Sequence, residues 1–523
     1  MPQLVSEMVK ITDLPVELLD LIVSFVPSSN HTTLYLNLCR VTKRFLSIFQ
    51  PRLYYKFSCP RPPPWRDVGS IYDSEAYIGS TPKRPLITFT HSVISHSEAA
   101  CNVREITIES FDDDYLYGTD EEYIEPPSQK MIDDLTNAVR GVIPFSKRDQ
   151  QMHAQWVSNI KDLKITAITA LLLSRTPNVE YLSIVLDSNP LDELGYLLGN
   201  RTADPSGSAS PYCRSLKEVK TTCAQFRNGY RLQRMYPLLR FPALRTFRAE
   251  GLLCFSEYRD GRDNDAPKYL DMEPETLNIS HLEICTNKRH QGPNVGLCSS
   301  SIDGKSLNSL VSACKALRTF VYTGDNPPSS EADAINQVNA RDISSALHSH
   351  RNTLEEVNVD LGSLNFRLME EGFSDAFVFE SFAEFPRLRR LNMAYYSACE
   401  ARKLPASLEH LIIRDCRSGV FEVIAQIASL GILPSLGKIE LGGFIMEYLY
   451  FQHWAEADSL EQACEKMVAV LKETGIQLYF TAHHSPLEGA GANLVCGKRT
   501  KVYIDGNGFR IDSPNANFTE VSW

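Results

Sequence analysis

The chain is poor in positive charge. It carries 53 Lys and Arg against 64 Asp and Glu, a formal net charge of −11. No domain-scale basic excess supplies the phosphate-neutralising patch that nucleic-acid binding needs, so nucleic acid is not expected as the main partner. Nothing approaches the run of about 20 apolar residues that spans a bilayer. Ile165 to Leu173 is instead the kind of run a buried helix shows, and no membrane partner is expected. The N-terminus opens on mixed polar residues, which predicts no secretory leader. Thirteen cysteines, an odd number without close pairs, read as reduced thiols of cytosol or nucleus. The Asn-x-Ser/Thr triplets at Asn30, Asn200, Asn278 and Asn517 then imply no glycosylation.

Signatures of bond chemistry are also missing. No cysteine pair has zinc-ligand spacing. His483-His484 has no acidic or Cys partner at metal spacing, so no metal is expected. Gly489-x-Gly491 lacks a third glycine and a preceding βαβ unit, and there is no Gly-Lys-Ser/Thr loop and no Gly-x-Ser-x-Gly elbow. The acidic stretch Phe111 to Gln129 has consecutive acids, Asp112 to Asp114 and Asp120 to Glu122, where a calcium loop alternates its ligands. It reads as a solvated insertion, as do Arg201 to Ser210 and Ser256 to Lys268. No cofactor is expected. A Ser/His/Asp set assembled only in space stays open, but no residue singles one out.

What is present begins with Ile11 to Phe57. Leu14, Leu18, Leu21, Ile22 and Phe25 fall on one helical face. Pro15 suits the first turn, Asp13 and Glu17 suit the positive end of the helix dipole, and Pro27 to Asn30 stop the helix. Leu34, Leu38, Val41 and Phe45 form a second stripe. Thr42 is placed to cap a third helix carrying Phe45, Ile48 and Phe49, and Pro51 marks its exit. Once the main stripes are assigned, Leu14, Val16, Leu19, Val23, Tyr35 and Leu36 are left over. So small a unit cannot hide them, which predicts a partner or a neighbouring domain. Lys10 to Phe57 holds six Lys/Arg and three Asp/Glu, a local +3 that suits an acidic partner or simply a solvated helix face.

These residues resemble the F-box family. The likeness lies in Leu14-Pro15-x-Glu17-Leu18-Leu19-x-x-Ile22, in Leu36-x-Leu38-Cys39-Arg40-Val41-x-Lys43-Arg44-Phe45 and in Pro51-x-Leu53-Tyr54. It covers under a tenth of the chain. Pro27 to Thr33 lacks the acidic residue and the Leu that many F-boxes place before the second helix. The resemblance implies docking to a Skp-type linker subunit, and through it to a cullin ubiquitin ligase, with Leu14, Pro15, Leu18, Leu19 and Ile22 as contacts. The plainer reading makes them the core of a helical cap on the following domain.

At 523 residues the chain suits two or more domains or a solenoid. Cys59 to Trp65, CPRPPPW, reads as a stiff spacer within a connecting segment over 58–100. From there to about Phe480 a six-residue pattern recurs, apolar at its first, fourth and sixth places. It starts at Val103, Val179, Leu216, Leu244, Ile279, Leu317, Leu354, Leu388, Leu408 and Leu436, the Leu216 copy having Thr221 at its third apolar place. Helical stripes lie between copies, at Leu307 to Cys314, Val420 to Ile427 and Leu460 to Leu471. Strand then helix, repeated, is the leucine-rich-repeat plan, in which stacking buries the apolar edge that each unit leaves open. The pattern resembles the degenerate repeats that often follow an F-box. The expected fold is therefore α/β: a three-helix domain over 10–57, then an irregular leucine-rich-repeat horseshoe over 101–480. An ordinary parallel α/β sheet is the rival. The segment 481–523 holds a hairpin at Lys501 to Asp512 that would cap the last repeat.

By strand alternation, the residues beside the apolar places line the concave face. These are Lys220, Thr246, Arg248, His281, Glu283, Thr319, Val321, Glu356, Asn358, Arg390, Asn392, His410 and Arg414. They form either a protein-substrate surface or a solvated wall. The whole reads as a non-catalytic substrate receptor of a ubiquitin ligase in cytoplasm or nucleus. A repeat scaffold without ligase, or a hydrolase with a spatially assembled site, are the rivals.

Overall fold

The computed structural model of the protein describes residues 11, 14–26, 31–59, 83–109, 127–142, 150–186, 193, 212–223, 230–232, 238–254, 272–285, 301–324, 338–361, 378–394, 400–414, 420–431, 433–442, 474–482, 500–505 and 508–512. Two compact units divide the chain, residues 1–224 with 234–244, and residues 225–233 with 245–523. Both are mixed α/β with parallel strands. The acidic and charged insertions, the Pro60–Trp65 spacer, the Leu460 stripe and the His483–Gly491 stretch lie outside the described residues.

The first unit opens with α1 (Val16–Ser24), α2 (His31–Val41) and α3 (Lys43–Tyr55). Thr42 caps α3 as expected, its hydroxyl accepting from the Phe45 N–H at 3.1 Å. Phe45 and Phe49 meet edge-to-face at 5.8 Å, and Tyr35 stacks on Phe49 at 5.6 Å. Leu19 and Val23 of α1 complete this small core. Pro51 does not end α3; it sits inside the helix. The turn beyond it is held from outside. Arg52 bonds Asp20 of α1, and the Tyr54 hydroxyl lies 2.7 Å from Ser92 Oγ. Those contacts outweigh the hydrogen bond that proline removes.

Beyond Cys59 the described part of the connecting segment forms two helices, α4 (Lys83–Ser95) and α5 (Ser97–Asn102). Leu86, Ile87, Thr90 and Val93 are buried, and Phe89 stacks on Phe57 at 4.2 Å. The helices α6 (Gln129–Arg140), α7 (Gln150–Lys161) and α8 (Ile165–Arg175) follow. α8 is buried from Ala167 to Leu173, as its unbroken apolar run predicts. The unit's sheet runs β1 (Lys56–Cys59), β2 (Glu105–Ile108), β3 (Tyr181–Leu186), β4 (Glu218–Cys223), all parallel. β1 carries no copy of the six-residue pattern.

The second unit's ladder runs β6 (Thr246–Glu250), β8 (His281–Cys285), β10 (Thr319–Thr323), β11 (Glu356–Asp360), β12 (Arg390–Ala394), β13 (His410–Arg414), β14 (Lys438–Gly442) and β15 (Gln477–Ala482), each parallel to the next. β16 (Thr500–Asp505) and β17 (Gly508–Asp512) then add antiparallel, closing the ladder with the predicted hairpin. A separate small sheet joins β5 (Tyr230–Arg231), β7 (Leu252–Cys254) and β9 (Ser301–Ile302). Between strands in the chain come α9 (Gly304–Ala313), α10 (Ala340–His348) and α11 (Val420–Leu430). Between β12 and β13 the described connection is a single 3-10 turn, Ala401–Lys403. In every copy from Leu244 to Leu436 the first, fourth and sixth residues are buried, which is what holds the ladder together.

Candidate functional site

Two surfaces concentrate the exposed chemistry, one in each unit. The first is the outer side of α1. Leu18 is 45% exposed, Leu21 53%, Ile22 44% and Phe25 79%, at i, i+3, i+4 and i+7. Every exposed large apolar side chain among the described residues falls between Ile11 and Tyr55. The expected inward stripe is thus reversed. Leu19 (3% exposed) and Val23 face the core, while Leu18, Leu21, Ile22 and Phe25 face out.

Asp20 explains the rotation. It is bound by Arg52 of α3, whose guanidinium also lies 5.5 Å over the Phe49 ring. That hydrogen bond holds the Asp20 carboxyl below its ordinary value and raises Arg52 above its own. With Asp20 turned toward α3, its neighbours Leu19 and Val23 must enter the core. Of the predicted contacts, Pro15, Leu18 and Ile22 stand exposed, and Leu14 is half-buried against the cluster. Leu19 is a correction: it is core and offers nothing to a partner. Leu36, Val41 and Leu46 on the next two helices are exposed as well, as are Arg40 and Lys43.

The second surface is the polar side of the second unit's ladder. Thr246, His281, Thr319, Glu356, Arg390, His410, Lys438 and Gln477 stand in register as one row across eight strands. Two residues on, Arg248, Glu283, Val321, Asn358, Asn392, Ile412, Glu440 and Tyr479 make a second row. Eleven of the thirteen residues predicted for this face stand in these two rows, and Arg414, two residues past Ile412 on β13, lies on the same side. Lys220 sits on β4 of the first unit, opposite Ser183.

No protein-family model and no curated protein matches the chain.

The charges on this face are largely matched by one another. Glu283 lies 3.5 Å from both His281 Nε2 and Arg248 Nε. The hydrogen bond from His281, assisted by the Arg248 charge, holds its carboxyl below the ordinary value despite burial. Arg390 pairs with Glu356 at 3.5 Å. Glu440 faces Lys438 at 3.4 Å and His410 at 3.7 Å, and Lys438 sits 4.6 Å over the Tyr479 ring. Arg414 reaches across β12 to β11. It donates to Asn392 Oδ1 and Asp360 Oδ2, each at 2.8 Å, and to Asn358 Oδ1. Asp360, Lys438, Glu440 and Tyr479 were not singled out from the sequence, although the same alternation carried one step further reaches them.

The Cys285 thiol is pushed up to about 12, chiefly by burial and then by the Glu283 charge, so it stays protonated at neutral pH. Among the described residues no group of three His, Cys, Asp or Glu is placed to hold a metal ion. Among them too, no helix is long and apolar enough to cross a membrane. What this face offers is a rigid display of hydrogen-bonding groups.

Proposed function

We propose that the protein is the substrate-recognition subunit of a Skp–cullin–F-box ubiquitin ligase, working in cytoplasm or nucleus. In this reading residues 10–57 form an F-box that docks a Skp-type linker subunit. The strands behind them are degenerate leucine-rich repeats whose polar face binds a protein substrate. The chain does no bond chemistry itself. It holds the substrate near the ligase, and such proximity is a large term in rate.

The observation that carries the reading is the outward stripe of Leu18, Leu21, Ile22 and Phe25. A monomer seldom leaves a contiguous apolar helix face in water unless another polypeptide covers it. Its place in the chain is also where the sequence resembles an F-box. The local positive charge suits an acidic partner.

The test uses the full chain and purified Skp-type linker subunit in a surface-binding assay. Wild type is expected to bind, and Leu18→Ala with Ile22→Ala to lose detectable binding while the melting curve stays in place. If wild type does not bind, the ligase reading fails and a repeat scaffold without ligase takes its place.

A further inference from the structure

The polar face contains one stretch whose free hydrogen-bonding capacity is all of one kind. In the second row, Val321, Asn358, Asn392 and Ile412 occupy four adjacent strands in register. They are the row's uncharged interior. Glu283 and Glu440 bracket them, and both are already engaged by cations. Val321 and Asn358 are half-buried, as is Asn392, and Ile412 is nearly covered.

Arg414 fixes what the two asparagines present. A guanidinium has five N–H donors and no acceptor. Each asparagine that meets it must therefore turn its oxygen inward, as Oδ1 of Asn358 and of Asn392 both do. Both Nδ2 groups are thereby aimed away from Arg414. Among the described residues neither nitrogen has a protein acceptor. Asp360 neutralises the guanidinium at 2.8 Å, which removes its pull on an anion. Arg414's register partner on β12 is Ala394, small enough to let the long side chain pass over that strand. The arrangement is a braced pair of amide donors on neighbouring strands, about 4.8 Å apart, with an aliphatic group on either side.

We infer that Asn358 and Asn392, braced by Arg414, form the binding subsite for an extended, uncharged peptide segment. Its main-chain carbonyls accept from the two amides, and an apolar side chain rests on Val321. Four strands span about 14 Å, which matches about four extended residues at about 3.4 Å each. The inference deepens the substrate-receptor reading but does not require the ligase, since it concerns only what this face holds.

A displayed library of random linear dodecapeptides, selected on the full chain, supplies the probe. The recovered peptides are expected to share an uncharged run of about four residues. The best of them, synthesised, is then measured by titration calorimetry on wild type and on Asn358→Asp with Asn392→Asp. That variant keeps oxygen acceptors for Arg414 and turns each outward donor into a charged acceptor, which repels a peptide carbonyl. Affinity is expected to fall at least about tenfold, as losing two hydrogen bonds implies, with the melting temperature held. Recovery of acidic peptides, recovery of no peptide, or binding to the Asp variant within about twofold of wild type overturns the assignment.

Leu18→Ala with Ile22→Ala, run in parallel, is expected to leave peptide affinity unchanged. Peptide binding without linker binding sinks the ligase and keeps this subsite. Linker binding without a selected peptide does the reverse.

Discussion

Leu18 and Leu19 are chain neighbours in α1 with opposite fates, one 45% exposed and the other 3%. Their truncations should therefore separate stability from binding. Leu19→Ala leaves a hole beside Phe45 and Phe49 and is expected to cost about 2–5 kcal/mol. Leu18→Ala removes nothing from the core and should stay within about 0.5 kcal/mol. Urea midpoints of the two variants decide it. Equal destabilisation would mean that the rotation of α1 described above is wrong.

Gly304 opens α9, and a Cβ built on it would lie 2.6–2.8 Å from the Asp342 carboxylate. That carboxylate is not at liberty to swing aside. It accepts from the Asn339 N–H at 3.2 Å, while Asn339 Oδ1 accepts from the Asp342 N–H at 2.9 Å, closing the capping box of α10. Gly304→Ala is thus expected to disrupt the cap of a helix distant in sequence. The cost should be about 1 kcal/mol, the usual worth of a cap. Asp342→Ala should lose the same cap, and Gly304→Ala added to it should cost little more. Full additivity in a double-mutant cycle would refute the clash.

His350 is buried after α10, with Nε2 2.8 Å from the Val311 carbonyl at the end of α9. A carbonyl only accepts, so Nε2 donates. Burial lowers its pKa below the usual 6.5, with the Val311 bond and the Glu275 charge opposing. The unfolded chain then binds more protons than the folded one between the lowered value and about 6.5. Stability from this group is complete above about pH 6.5 and declines as acid is added below it. His350→Gln, which can still donate to Val311, should flatten that part of the profile. Denaturant midpoints from pH 7.5 to 5 check it; a variant as acid-sensitive as wild type counts against the assignment.

The outer ion pairs ought to matter little. Arg318–Glu355 and Arg389–Glu409, at 3.8 and 3.6 Å, join residues just ahead of the strands, and all four side chains are largely solvated. Exposed pairs of this kind are worth at most about 1 kcal/mol and are screened by salt. Arg318→Ala and Arg389→Ala should each move the melting temperature slightly, and less still at 1 M salt. A large, salt-independent loss would show that these residues do something other than pair.

The strand ladder was legible because its signal is local. A leucine, two open positions, then two more apolar residues one apart is enough to place a buried strand, and Phe320, Val357 and Ile439 all fall where that rule puts them. α1 was harder because both of its sides are apolar. Leu18 and Ile22 look as suited to a core as Leu19 and Val23. The choice is made by Arg52, 32 residues away from Asp20 in sequence. α4 and α5 were hidden behind a proline-rich stretch that reads as a linker. The brace at Arg414 spans 54 and 56 residues to Asp360 and Asn358, so no spacing rule reaches it. Register alone makes those side chains neighbours.

That register has a further meaning for how such a chain can change over generations. Successive copies of the pattern from Leu244 to Leu436 are separated by 35, 38, 37, 34, 20 and 28 residues, yet their strands still line up position for position. Insertions and deletions in the crossovers are therefore nearly invisible from the polar side. A single residue gained inside a strand is another matter, because it would turn Asn392 inward and Leu391 out to water. Variation is cheap in the crossovers and forbidden within the ladder, so new specificities arise there by substitution alone.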